Sequence, residues 1–313
     1  MTRFFRALAC PASLKGVLSA SAAAAALGEG LRLGGAEARE LPVADGGEGT
    51  ADVLFSALRG EWHEAEVADA FGRPRRGRWL VLPDGTAVVE AAEAIPLDPA
   101  RLDPLAASSR GLGELLHAAL DGCAEALLVC LGGSATVDGG TGLLELFGEL
   151  PVPARAACDV ATLLPDAARL FGPQKGATEE TIPLLERRLA ELSTLAPYAA
   201  LPGSGAAGGL GAALAALGAE LRSGAELVLE TIGFEPRGYD LVVTGEGTVD
   251  RTTAEGKAPA LVAHRCAAAG VRCVVFGGIV VEPLAGAETV ALSGDPARAR
   301  EDLAALGERL ARG

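Results

Sequence analysis

"FFRALACPASLKGVLSASAAAAALGEGL" (Phe4–Leu31) decides the fold, because it reads in two incompatible ways. A secretory leader needs an uninterrupted apolar core of about 7 to 15 residues after its charged start. Here Arg6 and Lys15 leave only eight residues between them, and one of these is Pro11. The competing pattern is a short strand (Ala7–Cys10), a turn at Pro11–Gly16, and a helix favoured by the alanine run, with Ser19 as its N-cap. Strand-turn-helix is the unit that opens many α/β domains. No other stretch approaches the roughly 18 consecutive apolar residues of a membrane span. The chain is therefore expected to be soluble, unprocessed and cytoplasmic, with no membrane partner.

Composition supports that class. Half of the 313 residues are hydrophobic, enough for a sizeable core and for two modest domains. Aromatics make up 4 % and the formal net charge is −14, so neither stacking platforms nor a basic face is available for nucleic acid. A small phosphorylated metabolite is still compatible, because the long-range field is screened beyond a Debye length of about 8 Å. The six cysteines contain no C-x-x-C pair and fit buried apolar roles in a reducing compartment. His63, His117 and His264 are isolated from one another, and none is assigned to catalysis or metal binding.

Outward from the opening unit, strand and helix patterns alternate. "EARELPVADGGEGTADVL" runs from a strand into a glycine turn at Asp45–Gly49 and a helix through Leu58. Short β runs at Glu64–Val67, Arg78–Leu82 and Thr86–Glu90, with a Pro-Asp-Gly turn, read as a hairpin-bearing insert. The rhythm then returns with "GELLHAALDG", "EALLVCLGG", a strand end at 154–159, an exposed helix at 178–195, and a glycine turn feeding an Ala/Leu helix. "YDLVVTGEG", a helix from Gly256 to Ala269, "RCVVFGG" and a terminal helix complete the chain. Such alternation implies an α/β fold, with a Rossmann- or flavodoxin-like parallel sheet and ligands at the carboxyl ends of strands. The expected division is residues 1–58, 112–150 and 231–313 in that domain, and 59–111 with 151–230 in a second, smaller α/β domain across an interdomain cleft.

Three turns share one design, glycines beside a carboxylate at a strand end: Asp45-Gly46-Gly47-Glu48-Gly49-Thr50, Gly132–Gly140 around Ser134 and Asp138, and Gly245-Glu246-Gly247-Thr248-Val249-Asp250. Glycines let backbone N–H groups face an anion, and a following helix adds positive potential. Carboxylates beside such a nest can hold Mg²⁺ or take a proton from an attacking hydroxyl. Each turn alone is an ordinary connection, but together they point to phosphoryl transfer. No Walker loop and no G-x-S-x-G elbow occurs. Gly203–Gly208 matches G-x-G-x-x-G and leaves a dinucleotide-dependent oxidoreductase as a competing reading.

"PVADGGEGT", "GGSATVDGGTGLLE", "FGPQKGAT", "GSGAAGGLGAAL" and "LVVTGEGTVD…GKAP", in this order, resemble the bacterial glycerate kinase family that includes glycerate 2-kinases. The likeness runs from the opening segment to about Val262. It implies a two-domain enzyme that moves the γ-phosphoryl group of ATP, with Mg²⁺, onto D-glycerate, with 2-phosphoglycerate favoured. The matching positions are Ser13, Lys15, Gly16, Asp45–Thr50, Gly72, Arg73, Gly132, Gly133, Ser134, Asp138, Asp159, Gln174, Lys175, Glu246, Asp250 and Lys257. On physical grounds Asp45 or Asp250 is the base or metal carboxylate, and Lys15 and Lys257 neutralise phosphate or carboxylate. Gly132–Ser134 holds phosphates, Gly46, Gly47, Glu48 and Glu246 line the site, and Asp138 and Asp159 take metal. Arg73 forks onto the glycerate carboxylate or is a surface charge beside Arg75 and Arg76. Lys175 is either a site residue or a solvated loop lysine.

The sequence departs from the family pattern at polar positions. Family members usually read P-D-S-F-K-G in the opening loop, where this chain has Ala12 and Leu14, and Val137 replaces an asparagine. Thr162, Thr248 and Thr252 replace other motif residues, and some tens of residues are absent between Gly148 and Pro151. A pocket charge lost from a transition state costs a factor of about 10² to 10³. A catalytically weak relative that binds nucleotide or a sugar acid in a regulatory role is the alternative these departures raise.

Overall fold

The computed structural model describes residues 5–313, so Phe4 of the opening stretch lies outside the described residues. The strands are β1 (Arg6–Ala9), β2 (Glu37–Glu40), β3 (Glu61–Ala68), β4 (Pro74–Val81), β5 (Thr86–Glu90), β6 (Ala126–Cys130), β7 (Ala154–Cys158), β8 (Glu220–Ser223), β9 (Leu241–Val249), β10 (Arg272–Val280) and β11 (Glu288–Ala291). Contacts divide the chain into two compact units. The first comprises the described residues through Asp45, Asp52–Ala57 and Val228–Gly313, and the second comprises Gly46–Ala51 and Leu58–Leu227.

The first unit is a five-stranded sheet in the order β11-β10-β9-β1-β2, with every pairing parallel. Counted along this unit alone, the order is 2-1-3-4-5, the flavodoxin-like arrangement, whose topological switch point falls between β1 and β9. The opening stretch forms the expected strand-turn-helix. Ser19 caps the helix Ala20–Leu33 by accepting a hydrogen bond from the Ala22 amide at 3.2 Å. That helix packs against the C-terminal helix Ala299–Arg312 at very short range. A Cβ on Gly30 would lie 1.9 Å from the Ala304 carbonyl oxygen, so only glycine permits this crossing. Between helices and sheet lie Ala7, Leu27, Leu31, Val243, Phe276 and Leu303, all fully buried.

The second unit is a six-stranded sheet in the order β3-β4-β5-β6-β7-β8. β3 and β4 form an antiparallel hairpin, the Pro83-Asp84-Gly85 turn read from the sequence joins β4 to an antiparallel β5, and β5 through β8 are parallel. Two expectations about domains differ from this arrangement. Residues 112–150 fall in the second unit, because β6 pairs with β5 on one side and β7 on the other. With them the second unit becomes the larger of the two.

Four of the cysteines, Cys10, Cys130, Cys158 and Cys266, are buried as small apolar groups, and all six are free thiols. His63 stacks on Trp79 and His117 on Phe147. No helix among the described residues is long and apolar enough to cross a membrane.

Candidate functional site

In the first unit, four sequence-distant segments meet at the carboxyl end of the sheet, around the switch point. After β1 the chain stays beside β9: the Ala12 amide donates to the Gly245 carbonyl at 2.8 Å, and Thr244 Oγ1 to the Cys10 carbonyl at 2.7 Å. Leu14 and Leu18 then pair across a tight turn, with Lys15 and Gly16 exposed at its tip and Gly16 at φ +75°. After β2, the Leu41 amide donates to the Ala9 carbonyl and the Val43 amide to the Pro11 carbonyl, which leads the chain along the same loop to Asp45. Asp45 is half-buried, and its carboxylate has no hydrogen-bond partner among the described residues.

The third glycine segment is not a turn. β9 continues through Gly245–Val249, paired with Phe276–Val280 of β10. Gly245 is there because a Cβ would lie 2.1 Å from the Phe276 carbonyl oxygen; the glycine serves close strand approach, not an anion nest. Gly247 lies under the opening loop, where a Cβ would be 3.4 Å from the Lys15 amide nitrogen. Glu246, between these glycines, accepts from Thr253 Oγ1 at 2.7 Å and from Lys257 Nζ at 3.2 Å. Asp250 ends the strand and caps the helix Arg251–Ala254, accepting from the Thr252 amide at 2.8 Å and Thr252 Oγ1 at 2.6 Å. The Thr252 hydroxyl, more than the neighbouring Lys257 ammonium, holds this carboxyl below the usual carboxylate range.

In the second unit, the Gly49 and Thr50 amides of the glycine turn at Gly46–Thr50 are already occupied, the latter by the Gly47 carbonyl at 3.3 Å. Glu90, the last residue of β5 and 4 % exposed, accepts from the Gly49 amide at 3.0 Å and the Ala51 amide at 2.7 Å. Glu90 was missed as a site residue, and the only hint in the sequence is a carboxylate closing the apolar run "TAVVE". Gly46 and Gly47 serve packing: a Cβ on Gly46 would meet Ala157 and Gly224, and Gly132 lies against Gly47. Gly133 is left-handed at φ +74° and its carbonyl takes the Leu97 amide at 2.7 Å. Ser134 and Thr136 are buried, and their hydroxyls have no hydrogen-bond partner among the described residues.

Asp138, expected as a metal ligand, is fully buried and committed to the protein. It accepts from the Ser109 amide and hydroxyl at 2.8 and 2.7 Å, from the Gly140 amide at 3.0 Å, and at 3.4 Å from the Thr141 hydroxyl and the Gly142 amide. Four of these five donors fall on Oδ2 and one on Oδ1, so the carboxylate anchors the loop. Asp159 is exposed at the end of β7. No three His, Cys, Asp or Glu side chains among the described residues are grouped to hold a metal ion.

Lys175 is no solvated loop lysine: it is 3 % exposed, and its Nζ donates to the Thr136 carbonyl at 2.8 Å. Burial lowers its pKa to about 8, against the opposing pull of Asp138 and Asp159. Arg73 is exposed on the turn between β3 and β4, where Asp69 accepts from its amide at 2.9 Å. The G-x-G-x-x-G stretch follows no strand. Its glycines press against Cys158, the Leu163 carbonyl and the Thr136 carbonyl, so the dinucleotide reading finds no phosphate cradle there.

The model of the glycerate kinase family matches residues 7–150 and 151–294. The break falls at Leu150/Pro151, next to the place where the sequence lacks residues common in that family. A Bacillus subtilis (strain 168) glycerate kinase is 37 % identical over 322 aligned residues, covering 86 % of this chain and 84 % of the relative. An Escherichia coli (strain K12) glycerate 2-kinase is 38 % identical over 304, covering 81 % and 80 %. A solved structure from Salmonella typhimurium LT2, described as a "putative glycerate kinase 2", superposes with a TM-score of 0.85 at 31 % identity, covering 99 % of this chain and 98 % of that one.

Proposed function

Because the chain belongs to the glycerate kinase family and is a phosphotransferase acting on glycerate, we propose that it uses ATP with Mg²⁺, that D-glycerate is the acceptor, and that 2-phosphoglycerate is the product. What supports this reading is that the loops bearing Lys15 and Asp45 run from the carboxyl ends of β1 and β2 beside the β9 segment that bears Glu246, to which Lys257 is bonded. Ligands of open α/β sheets bind at such carboxyl ends.

The roles follow from how each carboxylate is engaged. Asp250 is kept ionised by the Thr252 hydroxyl and by the helix amides it caps, and an ionised carboxylate suits a hard cation that takes one or two carboxylates and keeps its waters. Bound there, Mg²⁺ would neutralise phosphate charge. Asp45, which carries no protein hydrogen bond, is the better base for the acceptor hydroxyl, since a base must accept the proton and not already be satisfied. Lys257, fixed by Glu246, and Lys15 at the loop tip supply positive charge for the phosphoryl oxygens, where most of the catalysis of such transfers lies. In the second unit, the Gly132 and Gly133 amides make no backbone hydrogen bonds and remain the candidates for an anionic group. An ATP-dependent enzyme of this kind fits the cytoplasm.

Two variants test the assignment. Asp45→Asn should lower kcat by about 10² to 10⁴, whereas Asp250→Asn should raise the Mg²⁺ concentration needed for half-maximal rate. Retention of kcat within threefold in Asp45→Asn would remove it as the base.

A further inference from the structure

The second unit holds a pocket of about 150 Å³ beside the ends of β5 and β6, with Glu48, Arg75, Glu90, Glu93 and Gly133 in its lining. Two of its three carboxylates are already compensated: Glu90 by the Gly49 and Ala51 amides, and Glu93 by Arg78 at 2.9 Å. Arg75 donates from Nε to the Glu93 carbonyl at 2.6 Å. That bond fixes the guanidinium on a short helix and leaves both Nη groups without a protein partner among the described residues. Glu48 is exposed and likewise unpartnered. Gly133 keeps the floor open, since a Cβ there would lie 3.2 Å from Ala92 Cβ and 3.8 Å from Glu48 Oε2.

The pocket thus offers one planar fork of donors and one acceptor carboxylate, beside Glu93, which is paired with Arg78, and Glu90, which is hydrogen-bonded by two amides. A guanidinium with two free Nη groups matches a carboxylate in bidentate fashion, and a lone carboxylate accepts from a hydroxyl. We infer that Arg75, and not Arg73, binds the carboxylate of the acceptor while Glu48 accepts from one of its hydroxyls, so that this pocket selects short hydroxy acids. The inference rests on the glycerate kinase reading and adds the residues that set its specificity.

Steady-state kinetics of the full chain with Mg-ATP test it. Arg75→Met should raise the KM for D-glycerate about 10- to 100-fold, the worth of a charge-assisted hydrogen bond. kcat should change less, the KM for ATP should hold, and Arg75→Lys should recover part of the loss. Arg76→Met, an exposed residue paired with Glu64, should stay within twofold of wild type. With glycerol, which has no carboxylate, wild type and Arg75→Met should be equally slow. An unchanged KM in Arg75→Met overturns the inference, as does a rise confined to Arg73→Met. D-Serine competing more tightly than D-glycerate also overturns it, since Glu48 would then be reading an ammonium. Should Arg75→Met fail to fold, Glu48→Ala takes its place, and a KM for D-glycerate that stays at the wild-type value there counts against the pocket. If wild type makes no phosphoglycerate, the functional reading fails separately. Calorimetric titration with D-glycerate alone still decides the pocket: heat in wild type that is lost in Arg75→Met supports it, and no heat in wild type overturns it.

Discussion

Lys175→Met separates the electrostatic cost of a buried ammonium from the hydrogen bond it makes. Burial lowers the Lys175 pKa from 10.5 to about 8. Between these values the unfolded chain holds the extra proton, so stability rises with pH across the window. The penalty is fully present below about pH 8 and absent above about 10.5, and the shift is worth about 3 kcal/mol. Methionine removes that penalty at every pH, while the Thr136 carbonyl loses its 2.8 Å donor, a pH-independent cost of about 1–3 kcal/mol. Near pH 7 the two nearly cancel. By pH 10.5 wild type should have gained about 3 kcal/mol relative to the variant. Both tryptophans, Trp62 and Trp79, lie in the second unit, so their fluorescence in urea titrations reports the unit that contains Lys175. Taking the difference between the two proteins removes other groups, such as the Cys158 thiol that burial pushes to about 12. A difference that stays flat from pH 7 to 10.5 would refute the reasoning.

Three further perturbations have defined outcomes. Glu90→Gln replaces two charge-assisted amide contacts and should lower the tryptophan-reported stability by about 1–3 kcal/mol. Gly245→Ala would drive a methyl group into the Phe276 carbonyl and should cost at least about 1–3 kcal/mol, read as a lower circular-dichroism melting temperature. Ala12→Asp restores the carboxylate that family members usually carry in the opening loop and should raise kcat/KM for D-glycerate about tenfold or more. An unchanged kcat/KM would show that the loop works without it.

What the sequence disclosed was local. Pro11, Gly16 and Ser19 specify a turn and a cap within a few residues of one another, and the opening unit formed as read. Glycines mark where the backbone turns or closes up, and that is what singled out the three carboxylate-bearing segments. Their roles were hidden because they depend on partners far away in sequence. The Gly49 amide is filled by Glu90, Asp138 by Ser109, and the Gly245 segment is drawn into strand pairing by Phe276. The same applies to residues 112–150: β6 is an apolar run that any parallel sheet would accept, and only its pairing with β5 and β7 settles which sheet it joins. Lys175 and Arg75 show the limit for charges, since neither burial nor a fixed guanidinium has a local signature.

Incubating the purified chain with ATP, Mg²⁺ and D-glycerate and following the ³¹P resonances tests the proposed reaction most directly. Stoichiometric appearance of ADP and 2-phosphoglycerate is the predicted result. ADP accompanied only by inorganic phosphate, or no ADP at all, would contradict it.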